Sequence, residues 1–282
     1  MAADEKLAAL VAQMPDPDSQ GMMTENVDKE QIDAAIAAIC DGGPDNVRGL
    51  VSMLGAPGSE QDVKPHYALH CLANHTLVTG NEEARRQLCE VLAEELSAEH
   101  SQYVKSFLCQ TLQWAGRSEC VPALGQLLKD EALCDPAAMA LVAIKNGAAE
   151  QFRAALAGGP CKVTLIHSLA ALRDIDSTDI FRQAIRDADR EVRLAAGAGL
   201  AAIGDADSVD VLLAAADVDP GWERIRATKH CLVLAERLLA AGEQSGAVKI
   251  YEQLRDTRTA PSEAYVRELA DRALEEIGEK VS

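Results

Sequence analysis

The chain has 282 residues, of which 48% are hydrophobic and only 3% aromatic, which predicts a core of Ala, Leu, Val and Ile. Ala and Leu rank highest in helix propensity, so the composition favours an all-α protein over a β-rich one. The formal net charge is −18. A surface of this sign repels nucleic-acid phosphates and anionic lipid, so we expect neither nucleic acid nor a membrane as partner.

Residues 1–27 are predicted to form an N-terminal helix, at about 3–13, and a loop rich in Pro and Asp. The helix carries four apolar side chains on one stripe: Leu7, Leu10, Val11 and Met14. No secretory signal or membrane span is legible, so we expect a cytoplasmic protein. In that compartment the eight cysteines are expected to be reduced and to act as small buried apolar residues.

Residues 28–282 are predicted to form a single domain of about seven helix pairs with helical caps. The pairs are expected at 28–55, 61–97, 100–129, 135–157, 161–187, 190–216 and 221–255. Glycine and proline clusters mark the breaks: Gly42-Gly43-Pro44, Ala56-Pro57-Gly58, Gly158-Gly159-Pro160 and Asp219-Pro220-Gly221. A terminal helix at about 261–278 has a charged outer face, which suits the end of a repeat array.

The pairs are predicted from self-similarity at a period near 30 residues. Leu112, Leu141, Leu169 and Leu200 follow one another at intervals of 29, 28 and 31 residues. Each is followed by a second anchor, a turn and another apolar run. Such a period is typical of helical repeats, in which neighbouring units cover one another's apolar faces.

The segment 189–213 contains Asp189-Arg190-Glu191-Val192-Arg193, then Ala201-Ala202-Ile203-Gly204-Asp205 and Val211-Leu212-Leu213. It resembles the HEAT-repeat family in its short form, the phycobilisome-lyase HEAT-like repeat. The resemblance extends over 28–278 and is strongest at 100–216. It implies an all-α, armadillo-like α-α superhelix whose inner helices bind other proteins. The family's motif residues are structural, so it transfers no functional residue.

Three histidines, His66, His70 and His75, are concentrated beside Tyr67 and Cys71. His66 and His70 are four residues apart, which places both rings on one helix face at a spacing that suits two zinc ligands. No further ligand is legible and no histidine of the chain precedes a Glu, so we expect no metal and no cofactor. As the densest group of functional side chains, this cluster is the first candidate binding surface.

The scarce tryptophans are the other candidates, because a large rigid ring commonly forms the centre of a protein interface. Trp114 lies next to the anchor Leu112 and is expected in the core. Trp222 opens a helix after Asp219-Pro220-Gly221 and is predicted as a binding residue.

Support for catalysis is weak. The motif Gly197-Ala198-Gly199-Leu200-Ala201-Ala202 matches a loose dinucleotide pattern but lies inside a predicted helix, where the glycines are better explained by close helix approach. Cys161 opens a helix, yet it occupies the apolar position equivalent to Val192. The chain has neither a nucleophile elbow nor a phosphate-binding loop. We predict no catalytic residue.

The sequence therefore predicts a non-catalytic protein–protein interaction scaffold or adaptor, with another protein as its partner. The alternative is an enzyme-accessory or lyase-like protein that handles a cofactor such as a bilin in a concave groove. It would require polar groups clustered in that groove, such as Tyr67, His70 and His75.

Overall fold

The computed structural model describes residues 2–20, 22–55 and 62–281, and these divide into two compact units. Unit 1 is Met1–Cys161 and unit 2 is Lys162–Ser282. The predicted break at Ala56-Pro57-Gly58 lies outside the described residues. The single domain over 28–282 stays a prediction.

Unit 1 contains one N-terminal helix and four helix pairs. Its helices are α1 (Ala2–Val11), α2 (Lys29–Asp41), α3 (Gly43–Ser52), α4 (Val63–Val78), α5 (Glu82–Glu95), α6 (Gln102–Ala115), α7 (Val121–Leu127), α8 (Cys134–Ile144) and α9 (Ala148–Leu156). Two short strands, β1 (Asp16–Pro17) and β2 (Met23–Glu25), pair antiparallel within the predicted N-terminal loop.

Unit 2 contains three helix pairs and a terminal helix. Its helices are α10 (Lys162–Leu172), α11 (Thr178–Ala184), α12 (Arg190–Ile203), α13 (Val209–Ala215), α14 (Trp222–Ala241), α15 (Gln244–Thr257) and α16 (Ala264–Val281). Within the described residues the predicted all-α fold of paired helices is confirmed. None of their helices combines the length and the apolar composition needed to cross a lipid bilayer.

The helices of each unit form two layers. In unit 1, the first helices of the pairs (α2, α4, α6 and α8) pack side by side, and the second helices (α3, α5, α7 and α9) do the same. In unit 2, α10, α12 and α14 form the corresponding first layer, and α16 packs on α15. Successive pairs therefore cover one another.

The four leucines predicted as equivalent anchors, Leu112, Leu141, Leu169 and Leu200, are all fully buried. Each lies on the first helix of its pair, so the spacing identified equivalent environments. The N-terminal helix α1 contacts α2 and α3; its Leu7 and Val11 are buried and its Leu10 is half-buried, and Met14, three residues after the helix, is also buried. The apolar stripe of α1 thus covers the first pair, as predicted.

All eight cysteines are free thiols. Five are buried, and Cys40, Cys71 and Cys161 are half-buried. Burial raises the pKa of Cys109 and of Cys231 to about 12, so both thiols stay protonated at neutral pH.

The glycines of α12 allow close packing and lie far from any strand-to-helix turn. A Cβ added at Gly199 would lie 2.7 Å from two carbon atoms of the Phe181 ring, which is fully buried in α11. Only a residue without a side chain lets this ring approach the helix backbone so closely. The interpretation of the motif as a packing feature is confirmed.

We predict that Gly199→Ala destabilises the protein by about 1–3 kcal/mol, because the added methyl group overpacks the contact with Phe181. Gly278 is the matched control, since it is also a helical glycine but has open space around its Cβ position. Gly278→Ala should stabilise by about 0.5–1 kcal/mol. Urea unfolding followed by far-UV circular dichroism measures both changes, and equal effects of the two substitutions would contradict the packing role.

Candidate functional site

Helix α4 carries the predicted histidine cluster and lies between α2 and α6 in the first layer of unit 1. Its inward stripe of Ala68, Leu69, Leu72 and Ala73 is buried. The remaining residues are directed at two neighbours. His66 and His70 contact aromatic rings of α6, whereas Tyr67 and His75 line a groove between α2 and α4. The structure therefore divides the cluster between two sides of one helix.

His66 connects α4 to α6. Its ring centroid lies 4.2 Å from that of Phe107 and 5.4 Å from that of Tyr103. Its Nδ1 is 2.9 Å from a carboxylate oxygen of Asp62. Its Nε2 is buried and has no hydrogen-bond partner among the described residues. His66 is thus a packed residue whose ring nitrogens are turned away from solvent.

Asp62 is the buried centre of this contact, with only 4% of its surface exposed. Its carboxylate accepts hydrogen bonds from the Gly55 backbone N–H at 2.6 Å and from the Tyr103 hydroxyl at 3.3 Å. Burial, together with the nearby Asp62 charge, raises the pKa of Tyr103. One carboxylate therefore holds together the start of α4, the preceding segment and α6.

His70 and Trp114 form an exposed pair. Their rings are 5.2 Å apart in an edge-to-face arrangement, and the Asn74 amide nitrogen is 3.1 Å from His70 Nε2. Trp114 is 54% exposed, so its prediction as a core residue was wrong. Leu112 and Ala115 occupy the buried side of α6. A residue two positions after Leu112 is rotated by roughly 200° around the helix, which turns it to solvent.

Tyr67, Cys71 and His75 line the groove between α2 and α4, which has a volume of about 650 Å³. Burial raises the pKa of the Tyr67 hydroxyl and of the Cys71 thiol, which lie one helical turn apart. Both therefore remain protonated at neutral pH. A protonated thiol is a poor nucleophile.

A second groove, of about 350 Å³, lies between α6 and α8. It is lined by Tyr103, Phe107 and Gln110 of α6 and by Pro136 and Met139 of α8. Sequence reasoning missed this groove. The signal was present, because Tyr103, Phe107, Gln110 and Trp114 follow helical spacing on a side of α6 different from its anchor stripe.

The exposed side of α4, α6 and α8 is called here the neutral face. Its members are His70, Asn74, Tyr103, Gln110, Trp114 and Met139. The three helices together contain only three charged residues, Lys64, Lys105 and Asp135. Helix α5 of the second layer, by contrast, has five glutamates and two arginines. Helix α5 alone thus carries more charged residues than the three helices of the neutral face together.

The described residues contain one group of three possible metal ligands, and it is elsewhere, at Cys89, Glu119 and Cys120. Arg85 already occupies this position: its guanidinium donates to Glu119 at 2.6 Å and to Cys89 Sγ at 3.6 Å. A hydrogen bond to Cys120 and burial raise the pKa of Cys89. The guanidinium of Arg85 beside the protonated Cys89 thiol opposes a cation, so the group fits a packing role.

Trp222, the remaining predicted binding residue, belongs to unit 2 and is 51% exposed. The guanidinium of Arg190 lies 4.9 Å from its ring centroid and that of Arg226 lies 5.7 Å away. The two guanidinium groups make cation–π contacts with the Trp222 ring, so the ring is flanked by positive charge. Trp222 remains a candidate for binding by itself, separate from the histidine cluster.

The comparisons with known proteins bear on the first helices of unit 2. Residues 160–232 match the model of a family described as HEAT repeats. The match extends from the residues before α10 into α14 and includes the segment 189–213 that carries the sequence resemblance. No curated protein sequence matches the chain.

The chain is also similar to several solved structures. One is the complex of CpcE and CpcF of phycocyanin lyase from Nostoc sp. PCC7120, at 16% identity, covering 80% of this chain and 94% of that chain, with a TM-score of 0.44. Another is a designed armadillo repeat protein, at 19% identity, covering 95% and 98%, with a TM-score of 0.28. A related designed armadillo protein was solved in complex with the peptide (KR)4, also at 19% identity, covering 95% and 98%, with a TM-score of 0.27. No function of this chain follows from these likenesses.

We predict that Asp62→Ala destabilises the protein by about 2–3 kcal/mol, because it leaves the Gly55 N–H and the Tyr103 hydroxyl without their buried acceptor. The control is Asp45→Ala in the first turn of α3, where the carboxylate side chain is 98% exposed. That change should cost less than about 1 kcal/mol. Urea unfolding at neutral pH measures both, and a loss no larger for Asp62→Ala would show that its hydrogen bonds do not stabilise α4.

Proposed function

We propose that this HEAT-repeat protein is a non-catalytic binding scaffold that docks another protein on the neutral face of unit 1. The observation that carries the proposal is the pairing of low charge with exposed large side chains there. In a chain of net charge −18, three adjacent helices have three charged residues, and they expose Tyr103, Trp114 and Met139.

This composition is that of a protein interface. The centre of a protein–protein interface is depleted of charged residues and enriched in Trp, Tyr and Met. Charged groups are costly to desolvate, whereas rings and thioethers lose little when a partner covers them. A helical repeat presents such residues on adjacent helices, which gives a continuous contact surface. The expected partner segment is uncharged and apolar where it touches the face.

Side chains of a bound partner can be accommodated in the groove between α6 and α8. The groove between α6 and α8 has mostly apolar walls and suits one or two apolar side chains. The Trp114–His70 pair stands beside it on α6 and α4. A partially exposed ring held by a neighbour is preorganised, so less conformational entropy is lost when a partner binds.

The alternative, cofactor handling, would use the groove between α2 and α4. Its volume of about 650 Å³ is within the range of ligand sites. A bilin, however, carries two propionate groups, and Lys29 is the one cation among the residues lining this groove. The protonated Tyr67 and Cys71 also provide no base or nucleophile, which favours the scaffold. A change in the visible absorbance of a bilin on titration with the protein would favour the alternative.

We predict that Trp114→Ala weakens partner binding by roughly 30-fold or more, which is about 2 kcal/mol, because it removes the central ring of the face. Partners are first identified by comparing proteins captured from native lysate by wild type and by the variant. Dissociation constants of the purified partner are then measured by calorimetry. Circular dichroism should show unchanged helix content, since the ring is exposed.

The matched control is Tyr265→Ala in α16, which removes an aromatic ring of similar exposure from unit 2. It should change the affinity less than about threefold. Trp222→Ala tests that predicted residue separately. Equal losses in Trp114→Ala and Tyr265→Ala would contradict the assignment to the neutral face. A homodimer that Trp114→Ala dissociates would replace the proposed partner by a second copy of the chain.

A further inference from the structure

Unit 2 contains a cavity that the scaffold function does not use. It has a volume of about 220 Å³ and lies among α12, α13, α14 and the segment after α11. Its walls are mainly apolar, with one imidazole: Ile185, Leu194, Gly197, Leu212, Ala227 and His230. At a comparable scale, a cavity of about 150 Å³ lined by apolar side chains holds benzene. This cavity therefore has room for a molecule of one or two rings.

Three polar side chains line the cavity: Arg193 and Glu223 are paired with each other, whereas His230 has no hydrogen-bond partner among the described residues. It is only 7% exposed. Among the described residues, the fully buried polar side-chain atoms without a hydrogen-bond partner do not include either ring nitrogen of His230. Both nitrogens therefore keep some accessible surface. A buried polar group normally has a partner. An imidazole in a cavity wall with accessible, unpartnered nitrogens is able to hydrogen-bond to a ligand in that cavity.

The backbone of α12 makes room for this ring. A Cβ at Gly197 would lie 2.8 Å from His230 Nδ1, closer than side-chain carbons come to such atoms. Gly197 thus lets the imidazole lie against the helix at the edge of the cavity. The second glycine of the same helix, Gly199, serves a different contact with Phe181.

The charge state of His230 decides the chemistry of a ligand. Burial lowers its pKa to about 4, and the nearby charges of Arg226 and Lys229 act in the same direction. The ring is therefore neutral at neutral pH and offers one donor and one acceptor nitrogen. At the cavity wall, Arg193 is paired with Glu223 at 2.6 Å, so no net charge is left there for an ionic ligand.

We propose that this cavity binds a small uncharged aromatic molecule with a single O–H or N–H group, which hydrogen-bonds to His230. The apolar walls take the ring and the imidazole takes the polar group. Arg193 also donates to the carbonyl oxygens of Asp187 and Ala188, which fixes the segment after α11 beside the cavity. The site lies wholly within unit 2, so it does not depend on the neutral face.

The test uses phenol and toluene as probes of equal shape, of which only phenol has a donor. Calorimetry on the full chain should give a dissociation constant below about 1 mM for phenol. In His230→Leu the phenol-to-toluene affinity ratio should fall at least tenfold, because the polar partner is lost. His230→Gln keeps a neutral donor and acceptor and should restore most of the ratio.

Ala227→Leu is the second variant, because its added side chain fills the cavity from α14 and should abolish binding of both probes. Two-dimensional NMR should place the phenol-induced shifts on α12, α13 and α14 of the wild type. Absence of phenol binding at about 5 mM, which corresponds to about 3 kcal/mol, would overturn the proposal. So would an affinity ratio that His230→Leu leaves unchanged. Neither result would affect binding of a protein at Trp114.

Discussion

The fold depends on burial that each helix pair obtains from its neighbours. Leu112, Leu141, Leu169 and Leu200 are fully buried although no helix pair could enclose its own anchor. Glycine residues allow neighbouring helices to approach one another closely. The Cβ position of Gly49 is 2.4 Å from Leu7 of α1, and that of Gly199 is 2.7 Å from Phe181. The core has few aromatic residues, and close approach of helix backbones adds to the packing of its buried leucines.

Arginine side chains complement this packing at the helix ends. The last carbonyl groups of a helix have no partner within the helix. Arg85 of α5 donates to the Ala115 carbonyl at the end of α6, and Arg258 donates to the Ala216 carbonyl after α13, each within its own unit. Both guanidinium groups are buried. Because Arg has five donors in a rigid plane, one side chain can bond a carbonyl and a neighbouring acid or hydroxyl together.

Periodicity predicted the fold because it reports the buried side of each helix, which is what packing constrains. All seven helix pairs and the stripe of Leu7, Val11 and Met14 were predicted from spacing alone. Packing does not constrain the exposed side of a helix in this way. Predictions that relied on proximity in the sequence were therefore wrong for exposed residues. Trp114 was expected in the core because it adjoins Leu112, and the histidines were treated as one cluster. The structure turns Trp114 to solvent and directs His66 and His75 to different neighbours.

The candidate sites were harder to predict because their partners come from distant positions in the sequence. Asp62 meets Tyr103 across 41 residues, and Gly197 makes room for His230 across 33. These contacts have the same origin as the fold, since each joins helices of successive pairs. Asp62 and His230 differ in how many of their polar atoms have a hydrogen-bond partner. The Asp62 carboxylate accepts hydrogen bonds from the Gly55 N–H and the Tyr103 hydroxyl, and so it stabilises the start of α4. His230 lines a cavity and has no hydrogen-bond partner in the part of the chain that the structure describes. This difference in hydrogen bonding, rather than polarity alone, distinguishes Asp62, which stabilises the fold, from His230, which we propose binds a ligand.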